Sequence, residues 1–405
     1  MGNTVDVAIV GGGMAGAALA LLLARRVPTL SVAVVEQHAL PVNVGDQLSL
    51  PSFDARSTAL SFSTRNMLDE VQVWQALQHS AQPILQVHVS ERQRPLGMLM
   101  RAEETGLPAL GYVIENRVLG QVLLHAVRQQ TRIVLHDNTQ VHALALHADA
   151  AQLTMQTGSG AENMLRAKLV VVADGAQSRL RQQLGIAVDE QPYDQHALVA
   201  NVVTELPHGA VAYERFTQDG PIALLPLLDC ENQHRSALIW TLPDKQIEEI
   251  MQLPEAEFLQ RVQEQLSNRC GRLLAVGARH SYPLVLVQAR EQVRSRIVLM
   301  GSAAHHLHPV AGQGFNLIMR DCLALVDILA EVAAQQRDIG ALAVLQQYLQ
   351  QQQWDQQKTV TASDWLPRLF SNRYVPHTML RSAALLGLDF LPGMREWFAR
   401  EATGL

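Results

Sequence analysis

Cysteine is scarce in this chain of 405 residues: Cys230, Cys270 and Cys322 lie far apart and show no CxxC spacing. This pattern excludes a disulfide framework and a cysteine zinc site, and it favours reduced thiols in a cytoplasmic protein. Basic residues are scattered and the formal net charge is -6, so the sequence offers no basic stripe for binding nucleic acid. No run of about 18 uninterrupted apolar residues is present, so we expect any membrane contact to be peripheral.

The chain begins with the pattern of a parallel β-sheet. The apolar run Val5–Val10 stops at three glycines, the Ala- and Leu-rich stretch Met14–Arg26 has the composition of a helix, and Ser31–Val35 is a second β-branched run. Leu165–Ala173 and Arg296–Met300 are predicted to be further buried strands. Pieces of one α/β layer therefore come from the beginning, middle and end of the chain.

A different pattern occupies residues 194–242. Longer strands rich in aromatic and β-branched residues, in AYERF, IALLPLL and SALIW, are separated by turn residues. This composition predicts a separate, largely antiparallel sheet inserted between the pieces of the first layer. Hydrophobic residues make up 48% of the chain, which is enough to fill the cores of both layers.

A GxGxxG motif, Gly11-Gly12-Gly13-Met14-Ala15-Gly16, lies between the first strand and the first helix. Glycines at these positions permit a tight turn, close approach of a pyrophosphate to the helix N-terminus and close helix packing. Glu36 ends the second strand 20 residues after Gly16, where a carboxylate accepts hydrogen bonds from ribose hydroxyls. The motif predicts dinucleotide binding rather than a merely structural turn, and it leaves FAD and NAD as alternatives.

A second motif, Val170–Arg181, is a buried strand that ends in Asp174-Gly175 and continues to Ser178, Arg179 and Arg181. A carboxylate and cations at the carboxyl end of a strand lie where open α/β sheets bind their ligands. The alternative interpretation is a plain turn in which Ser178 caps a helix. The residues alone leave both open.

A third motif, Gly301–Asn316, again follows an apolar strand. Its glycines and small residues let backbone amides approach a flat ring, and the helix that starts near Gly314 directs its N-terminus towards negative charge. His305, His306 and His308 suggest a metal, but no nearby carboxylate or cysteine completes a ligand set, so we predict that they border the cofactor instead. An NAD-dependent dehydrogenase would not explain this motif.

In their order and separations, the three motifs resemble the fingerprint of the group A flavoprotein monooxygenases. Within that group the sequence is similar to the ubiquinone-biosynthesis hydroxylases, in FDARSTAL, AYERFTQDGPIALLP, SAL followed by SYPL, and LHPVAGQGFNLIMRD. The similarity covers nearly the whole chain. Flavin-dependent halogenases share the fold, but none of the five tryptophans lies in their typical WxWxIP element.

The resemblance implies an α/β fold with a Rossmann-like FAD-binding domain of the glutathione reductase type, similar to that of para-hydroxybenzoate hydroxylase. This domain would be discontinuous, made of residues 1–75, 103–190 and 285–360. A mainly antiparallel β-sheet domain that binds the substrate would comprise residues 76–102 and 191–284. Residues 361–405 would form a C-terminal helical region.

The resemblance also assigns roles to individual residues. Those expected to hold the ADP half of FAD are Gly11, Gly13, Met14, Ala15, Gly16 and Glu36. Arg56 and Arg117 would lie near the flavin and its phosphates, and Asp174 beside the pyrophosphate. The residues expected along the isoalloxazine ring are Pro309, Gly312, Gln313, Gly314 and Asn316.

One position departs from the family pattern. Members usually carry Gly-Asp in the third motif, where the Asp holds a ribityl hydroxyl, whereas here Gly301 is followed by Ser302. A serine still exchanges a hydrogen bond with that hydroxyl, but it brings no charge, so we expect the contact to be weaker.

The implied reaction is ring hydroxylation of a polyprenyl phenol of the 2-polyprenyl-6-methoxyphenol type. NAD(P)H would reduce FAD, O2 would form a C4a-hydroperoxide, and an electron-rich ring would take its terminal oxygen. Because a phenolate reacts faster, the pocket needs polar side chains near the phenolic hydroxyl, for which the candidates are Tyr213, Arg215, His305 and His308. Hydroxylation of another phenol or quinone, or a non-catalytic member that binds lipid or partners, remains an alternative.

The substrate's prenyl tail implies access to a bilayer. Trp365–Phe398 mixes Leu, Phe, Trp and Arg, which suits either an amphipathic contact with the inner membrane or core helices packed over the domain. Other ubiquinone-biosynthesis proteins are further candidate partners.

Overall fold

The computed structural model describes residues 3–40, 56–91, 97–266, 270–306 and 313–371. Within these residues the strands are β1 Asn3–Val10, β2 Val32–Val35, β3 Ser57–Ser61, β4 Gln82–Ile84, β5 Gln86–Glu91, β6 Gly97–Arg101, β7 Gly111–Glu115, β8 Ile133–His136, β9 Thr139–Leu146, β10 Ala151–Thr157, β11 Glu162–Val172, β12 Val188–Thr204, β13 Val211–Phe216, β14 Pro221–Pro226, β15 His234–Pro243, β16 Leu273–Val276, β17 His280–Ala289, β18 Val293–Arg294, β19 Ile297–Leu299 and β20 His305–His306. The α-helices are α1 Met14–Arg26, α2 Phe62–Glu70, α3 Trp74–Leu77, α4 Ala102–Thr105, α5 Asn116–Gln129, α6 Arg179–Gln183, α7 Asp244–Gln252, α8 Glu255–Leu266, α9 Gln313–Ala334 and α10 Leu342–Ser371.

The first sheet has the order β18-β19-β11-β1-β2-β8, in which β19, β11, β1, β2 and β8 run parallel. Helices cover one face, and the antiparallel pair β9–β10 extends the sheet from β11. Because both faces of β1 are covered, its residues from Val5 onwards are almost continuously apolar. The predicted assembly of this sheet from three separate parts of the chain is confirmed.

Helix α1 is the inner support of this sheet. All residues from Ala15 to Ala24 are buried, and small alanines alternate with leucines between β1 and α9. α9 is almost as apolar, with Leu317, Met319 and Leu325 fully buried. The resulting core fixes the ends of the strands that precede the three motifs.

The second sheet has the order β20-β17-β12-β15-β14-β13-β5-β6, with β16 paired to β12. Its pairs are antiparallel except for the parallel pair β13–β5. α7 and α8 pack over one face, where Phe258 and Val262 are fully buried with Leu198 and Leu238 of the strands. The inserted, mainly antiparallel sheet predicted from the sequence is confirmed.

A third sheet, β3-β7-β4, lies between the two large ones. Asn316 of α9 ties it to the first layer, since its Oδ1 accepts hydrogen bonds from Ser61 N at 2.8 Å and Thr64 Oγ1 at 2.9 Å. On its other side, Val113 of β7 packs with Ala212 and Ala237 of the second sheet.

The predicted domain division stays a proposal. Its boundaries at 190/191 and 284/285 fall inside β12 and β17, so continuous strands rather than loops connect the two parts there. α10 extends to residue 371 of the predicted C-terminal helical region, and residues 372–405 lie outside the described part of the chain. None of the described helices is long and apolar enough to cross a membrane.

Candidate active site

The first glycine turn passes from β1 to α1 through positions that have no room for a side chain. Gly11 has a φ of 108°, and a Cβ there would overlap the carbonyl of Ala173. A Cβ on Gly16 would overlap the carbonyl oxygen of Gly11. Gly13 caps the N-terminus of α1, so the turn presents the helix N-terminus with backbone atoms alone, as a pyrophosphate site requires.

Glu36 lies beside this turn at the end of β2. The carboxylate is buried, its Oε2 accepts a hydrogen bond from Gly12 N at 2.7 Å, and its Oε1 accepts one from His38 N at 2.9 Å. His38 Nδ1 lies 2.8 Å from the same Oε1. These contacts fix the carboxylate next to the glycine turn, where the sequence predicted it.

Asp174 follows β11 at the same edge of the sheet. Oδ2 accepts a long hydrogen bond from Leu180 N at 3.5 Å, whereas Oδ1 is buried without a hydrogen-bond partner among the described residues. Burial raises the pKa of this carboxyl group. A buried acceptor without a donor is costly, so the site fits a ligand that supplies a hydroxyl or N–H group.

Arg181 joins the second motif to the third. Its side chain is buried and donates to the carbonyl of Ala303 at 3.0 Å and to that of Ala176 at 2.9 Å. Ser178 Oγ accepts from Arg181 N at 3.1 Å and so caps α6. Ser178 therefore caps a helix, as one interpretation of the sequence proposed. The motif also contacts the third motif through Arg181.

The third motif starts with a short 3-10 turn, Gly301–Ala303, packed on α1. Gly301 has a φ of 61°, and a Cβ there would lie 3.1 Å from Cβ of Ala15. Ser302 is half-buried in this turn. Gln313 and Gly314 begin α9, while Asn316 is buried and uses its side chain to hold β3 and α2. His308, Pro309 and Gly312 lie outside the described residues.

Arg56 and Arg117 come together because β3 pairs with β7, with Ser57 opposite Glu115. Arg56 also reaches the second sheet, where its guanidinium carbon lies 4.6 Å from the ring centroid of Tyr282. Arg117 is more exposed, and its Nη2 lies 3.7 Å from Glu115 Oε2. Arg56, which was predicted to lie near the cofactor, therefore connects the third sheet with the second sheet.

The histidines of β20 differ in their surroundings. His305 is buried, and its Nε2 lies 3.1 Å from Oδ2 of Asp321 in α9. His306 is half-buried, and burial together with the charge of Arg56 lowers the pKa of its imidazole. The sequence proposed His305 for the pocket, whereas the structure directs its ring to a core carboxyl group and leaves His306 near Arg56.

The candidates on β13 lie on the helix-covered face of the second sheet. Tyr213 pairs with Leu224 and Arg215 with Ile222, and the partners of both belong to the core beneath α7 and α8. Tyr213 and Arg215 line a small cleft there with Gln263, Leu266 and Leu273. The structure therefore does not bring these two side chains together with the glycine motifs.

Glu214, between them, lies on the opposite face, and burial raises the pKa of its carboxyl group to about 7. Sequence reasoning missed this residue although the two-residue period of a strand was a usable signal. Neighbours on a strand point to opposite faces, so Glu214 becomes the candidate if Tyr213 and Arg215 do not face the site.

The residues present fit FAD. The glycine turn leaves a backbone cradle at a helix N-terminus, Glu36 places a buried carboxylate beside this turn, and Oδ1 of Asp174 is a buried acceptor with no donor among the described residues. Among the described residues no cluster of histidine, cysteine, aspartate or glutamate could hold a metal ion.

Comparison with known proteins agrees with this geometry. A family model described as an FAD binding domain matches residues 4–362. The ubiquinone hydroxylase UbiL of Rhodospirillum rubrum is 32% identical over 402 residues, which cover 99% of this chain and 90% of that protein. The 3-demethoxyubiquinol 3-hydroxylase of Escherichia coli is 33% identical over 404 residues, which cover 99% and 98%. The chain belongs to this family of FAD-dependent aromatic hydroxylases.

The fold of this hydroxylase also matches solved structures. The crystal structure of p-nitrophenol 4-monooxygenase PnpA from Pseudomonas putida superposes with a TM-score of 0.76 at 18% identity, covering 99% of both chains. At this identity the match concerns the fold alone. The predicted fold and the predicted class of enzyme are both confirmed.

Proposed function

We propose that this hydroxylase inserts one oxygen atom from O2 into the ring of a polyprenyl phenol in ubiquinone biosynthesis, with NAD(P)H as the electron donor. FAD, when bound, takes electrons from the nicotinamide and activates O2. The protein has to bind the flavin, exclude water and position the ring.

One observation carries the proposal: a half-buried apolar surface of the second sheet faces the third sheet, which Asn316 of α9 ties to the layer that bears the three motifs. Arg56 contacts Tyr282 across the two layers, and Arg235 of β15 donates to Glu115 Oε1 at 2.9 Å. Ala223 and Ile239 remain half-buried on this surface. A partly open apolar surface next to a flavin cradle suits an aromatic ring with a hydrocarbon tail.

Two compounds are candidates for the substrate. In AYERFTQDGPIALLP and LHPVAGQGFNLIMRD the sequence resembles 2-octaprenyl-6-methoxyphenol hydroxylase most, which favours a 2-polyprenyl-6-methoxyphenol. The identity of 33% to a 3-demethoxyubiquinol 3-hydroxylase over nearly the whole chain favours a demethoxyubiquinol instead. We rank the methoxyphenol first because several unconnected segments carry that resemblance.

The test is an absorbance spectrum of the protein with added FAD, followed by anaerobic reduction with NADPH or NADH. O2 is then returned with a short-chain 2-prenyl-6-methoxyphenol or a short-chain demethoxyubiquinol, and products are identified by mass spectrometry. We expect the methoxyphenol to gain one oxygen atom. Product from demethoxyubiquinol alone would reassign the substrate, while bound FAD that yields only H2O2 with both compounds would favour another phenol, a quinone or a non-catalytic role.

We further propose that the protein works in the cytoplasm at the surface of the inner membrane, because a polyprenyl tail partitions into lipid, and that other ubiquinone-biosynthesis proteins are its partners. The side chains of the candidate amphipathic stretch Trp365–Phe398 lie outside the described part of the structure. Flotation with vesicles of anionic and neutral lipids tests the membrane contact, and failure to float with either would exclude it.

A further inference from the structure

Glu214 lies on the face of the second sheet that packs against the third sheet, β3-β7-β4. In β13, Ala212, Glu214 and Phe216 alternate with Tyr213 and Arg215, which lie on the helix-covered face. Cross-strand partners share a face, and those of Glu214 are Ala223 in β14 and Val89 in β5. Its carboxyl group therefore points away from α7 and α8.

Contacts across the interface identify what this face meets. Ala212, two residues from Glu214, packs with Val113 of β7 and Ile84 of β4. Tyr282, which is on the same face through its pairing with Ala197, contacts Arg56. Glu214 therefore lies on the surface of the second sheet that faces the third sheet, and apolar side chains flank it.

Few ionisable groups lie on the Glu214 side of the second sheet. They are Glu91, which pairs with Phe216 on the neighbouring strand β5, Arg56 and His306 near β17, and the ion pair of Arg235 with Glu115 at β15. Burial is the cause that raises the pKa of Glu214 to about 7, without a contribution from a described cation or hydrogen-bond donor. Glu214 as a whole nevertheless keeps some accessible surface.

We infer that Glu214 is the catalytic base that accepts the hydroxyl proton of the phenol while the ring is hydroxylated. The inference rests on the proposed function. As the ring carbon forms its bond to oxygen, the phenolic O–H bond breaks and the proton moves to the Glu214 carboxylate. The bond between the two oxygen atoms derived from O2 breaks in the same step. The hydroxylated carbon then loses its hydrogen as a proton to the second oxygen atom, which leaves as water, while the proton on Glu214 returns to the phenolic oxygen and the ring becomes aromatic again.

The step balances with the reactants already named. One oxygen atom of O2 enters the ring, the other leaves as water, and NAD(P)H supplies two electrons. A general base works best when its pKa lies near the operating pH, because it then ionises and still accepts a proton readily. A carboxyl group with an ordinary pKa would be a much weaker acceptor for a phenolic proton.

The test compares the wild-type protein with the variants Glu214→Gln and Glu214→Asp, each saturated with FAD. Product formation, NAD(P)H oxidation and H2O2 release are measured from pH 5 to pH 10 with the phenol that the wild type hydroxylates. We expect the wild-type product rate to rise with an apparent pKa near 7. Glu214→Gln should lower it about 100-fold or more at pH 7, with the electrons diverted to H2O2.

The pH profile separates a base from a structural residue. In Glu214→Gln the product rate should recover only near pH 10, where a phenol ionises by itself. Glu214→Asp should keep the rise near neutral pH at a reduced rate. Glu248→Gln is the matched control, because Glu248 is exposed on α7 on the other side of the sheet, and its profile should equal that of the wild type.

Two contrary results are distinguishable. A wild type that binds and reduces FAD but hydroxylates no phenol would overturn the proposed function and the inference together. A hydroxylating wild type whose rate and pH profile are unchanged in Glu214→Gln would overturn the role of Glu214 alone. Flavin absorbance and thermal melting of each variant verify that the folded holoenzyme is compared.

Discussion

Nε2 of His305 lies 3.1 Å from Oδ2 of Asp321, a fully buried carboxyl group in the middle of α9. The other carboxyl oxygen accepts a hydrogen bond from Gln356 of α10 at 2.8 Å. These three side chains connect β20, and with it the start of the third motif, to the two longest helices. The contact gives His305 a structural role in holding the motif against the core.

Replacing His305 by Leu should destabilise the fold. The substitution leaves the buried carboxyl group of Asp321 with Gln356 and without its imidazole neighbour, and loss of a polar partner in the core typically costs about 1–3 kcal/mol. Urea unfolding measures the loss. The double variant His305→Leu/Asp321→Leu should recover part of it, and a single variant as stable as the wild type would show that the contact contributes nothing.

Gly16→Ala should abolish FAD binding. A Cβ at this position would overlap the carbonyl oxygen of Gly11, so α1 has to move away from the turn that binds the pyrophosphate. The flavin absorbance of the purified protein, after incubation with FAD, measures the effect. Gly277→Ala is the control, because its Cβ would lie 3.6 Å from the nearest atom, Asn201 O, in ordinary contact. Equal flavin content in the two variants would contradict the expected crowding.

The elements that form the first sheet were predictable because their signals are local. The glycine motif between an apolar strand and an Ala-rich helix specifies the βαβ unit, and residues 117–130 have the composition of a helix, which is observed as α5, Asn116–Gln129. The Gln-rich stretch at 346–357 has the polarity of an exposed helix face. Most of it is exposed, but Gln356 is buried because Asp321 lies opposite it. Because this partner is 35 residues away, the local sequence around Gln356 does not indicate that the residue is buried.

The residues around the substrate were harder to predict for a related reason. Strand alternation in AYERF places Tyr213 and Arg215 on one face and Glu214 on the other, but it does not indicate which of these residues face the third sheet. That choice depends on α7 and α8, which come later in the chain and cover one face of the sheet. A similar ambiguity affects adjacent His305 and His306, of which the first meets Asp321 and the second lies near Arg56.

Ser302→Asp should tighten FAD binding. The family resemblance implies an aspartate that holds a ribityl hydroxyl at this position, and a hydrogen bond to a charged acceptor is worth about 1 kcal/mol more than one to a neutral hydroxyl. We therefore expect the dissociation constant of FAD to fall about fivefold, as measured by quenching of flavin fluorescence. Ser302→Ala should weaken binding instead. If the three proteins bind FAD equally, this turn does not contact the ribityl chain.

Glu214→Gln should stabilise the protein at alkaline pH, whether or not the protein is active. Burial raises the pKa of Glu214 from an ordinary 4.5 to about 7, so the folded state resists ionisation that the unfolded chain undergoes freely. Stability is therefore lost as the pH rises from 4.5 to 7, and the full penalty persists above that range.

Since one pKa unit corresponds to about 1.4 kcal/mol, the variant should be more stable than the wild type by about 3 kcal/mol at pH 8 and by less than about 1 kcal/mol at pH 5. Urea unfolding at the two pH values measures both differences, with Glu248→Gln as the control that should match the wild type throughout. A Glu214→Gln variant with the same advantage at both pH values, or with none, would mean that the carboxyl group ionises as easily in the folded protein as in the unfolded chain. Glu214 would then lack the property that suits it to accept a phenolic proton near neutral pH.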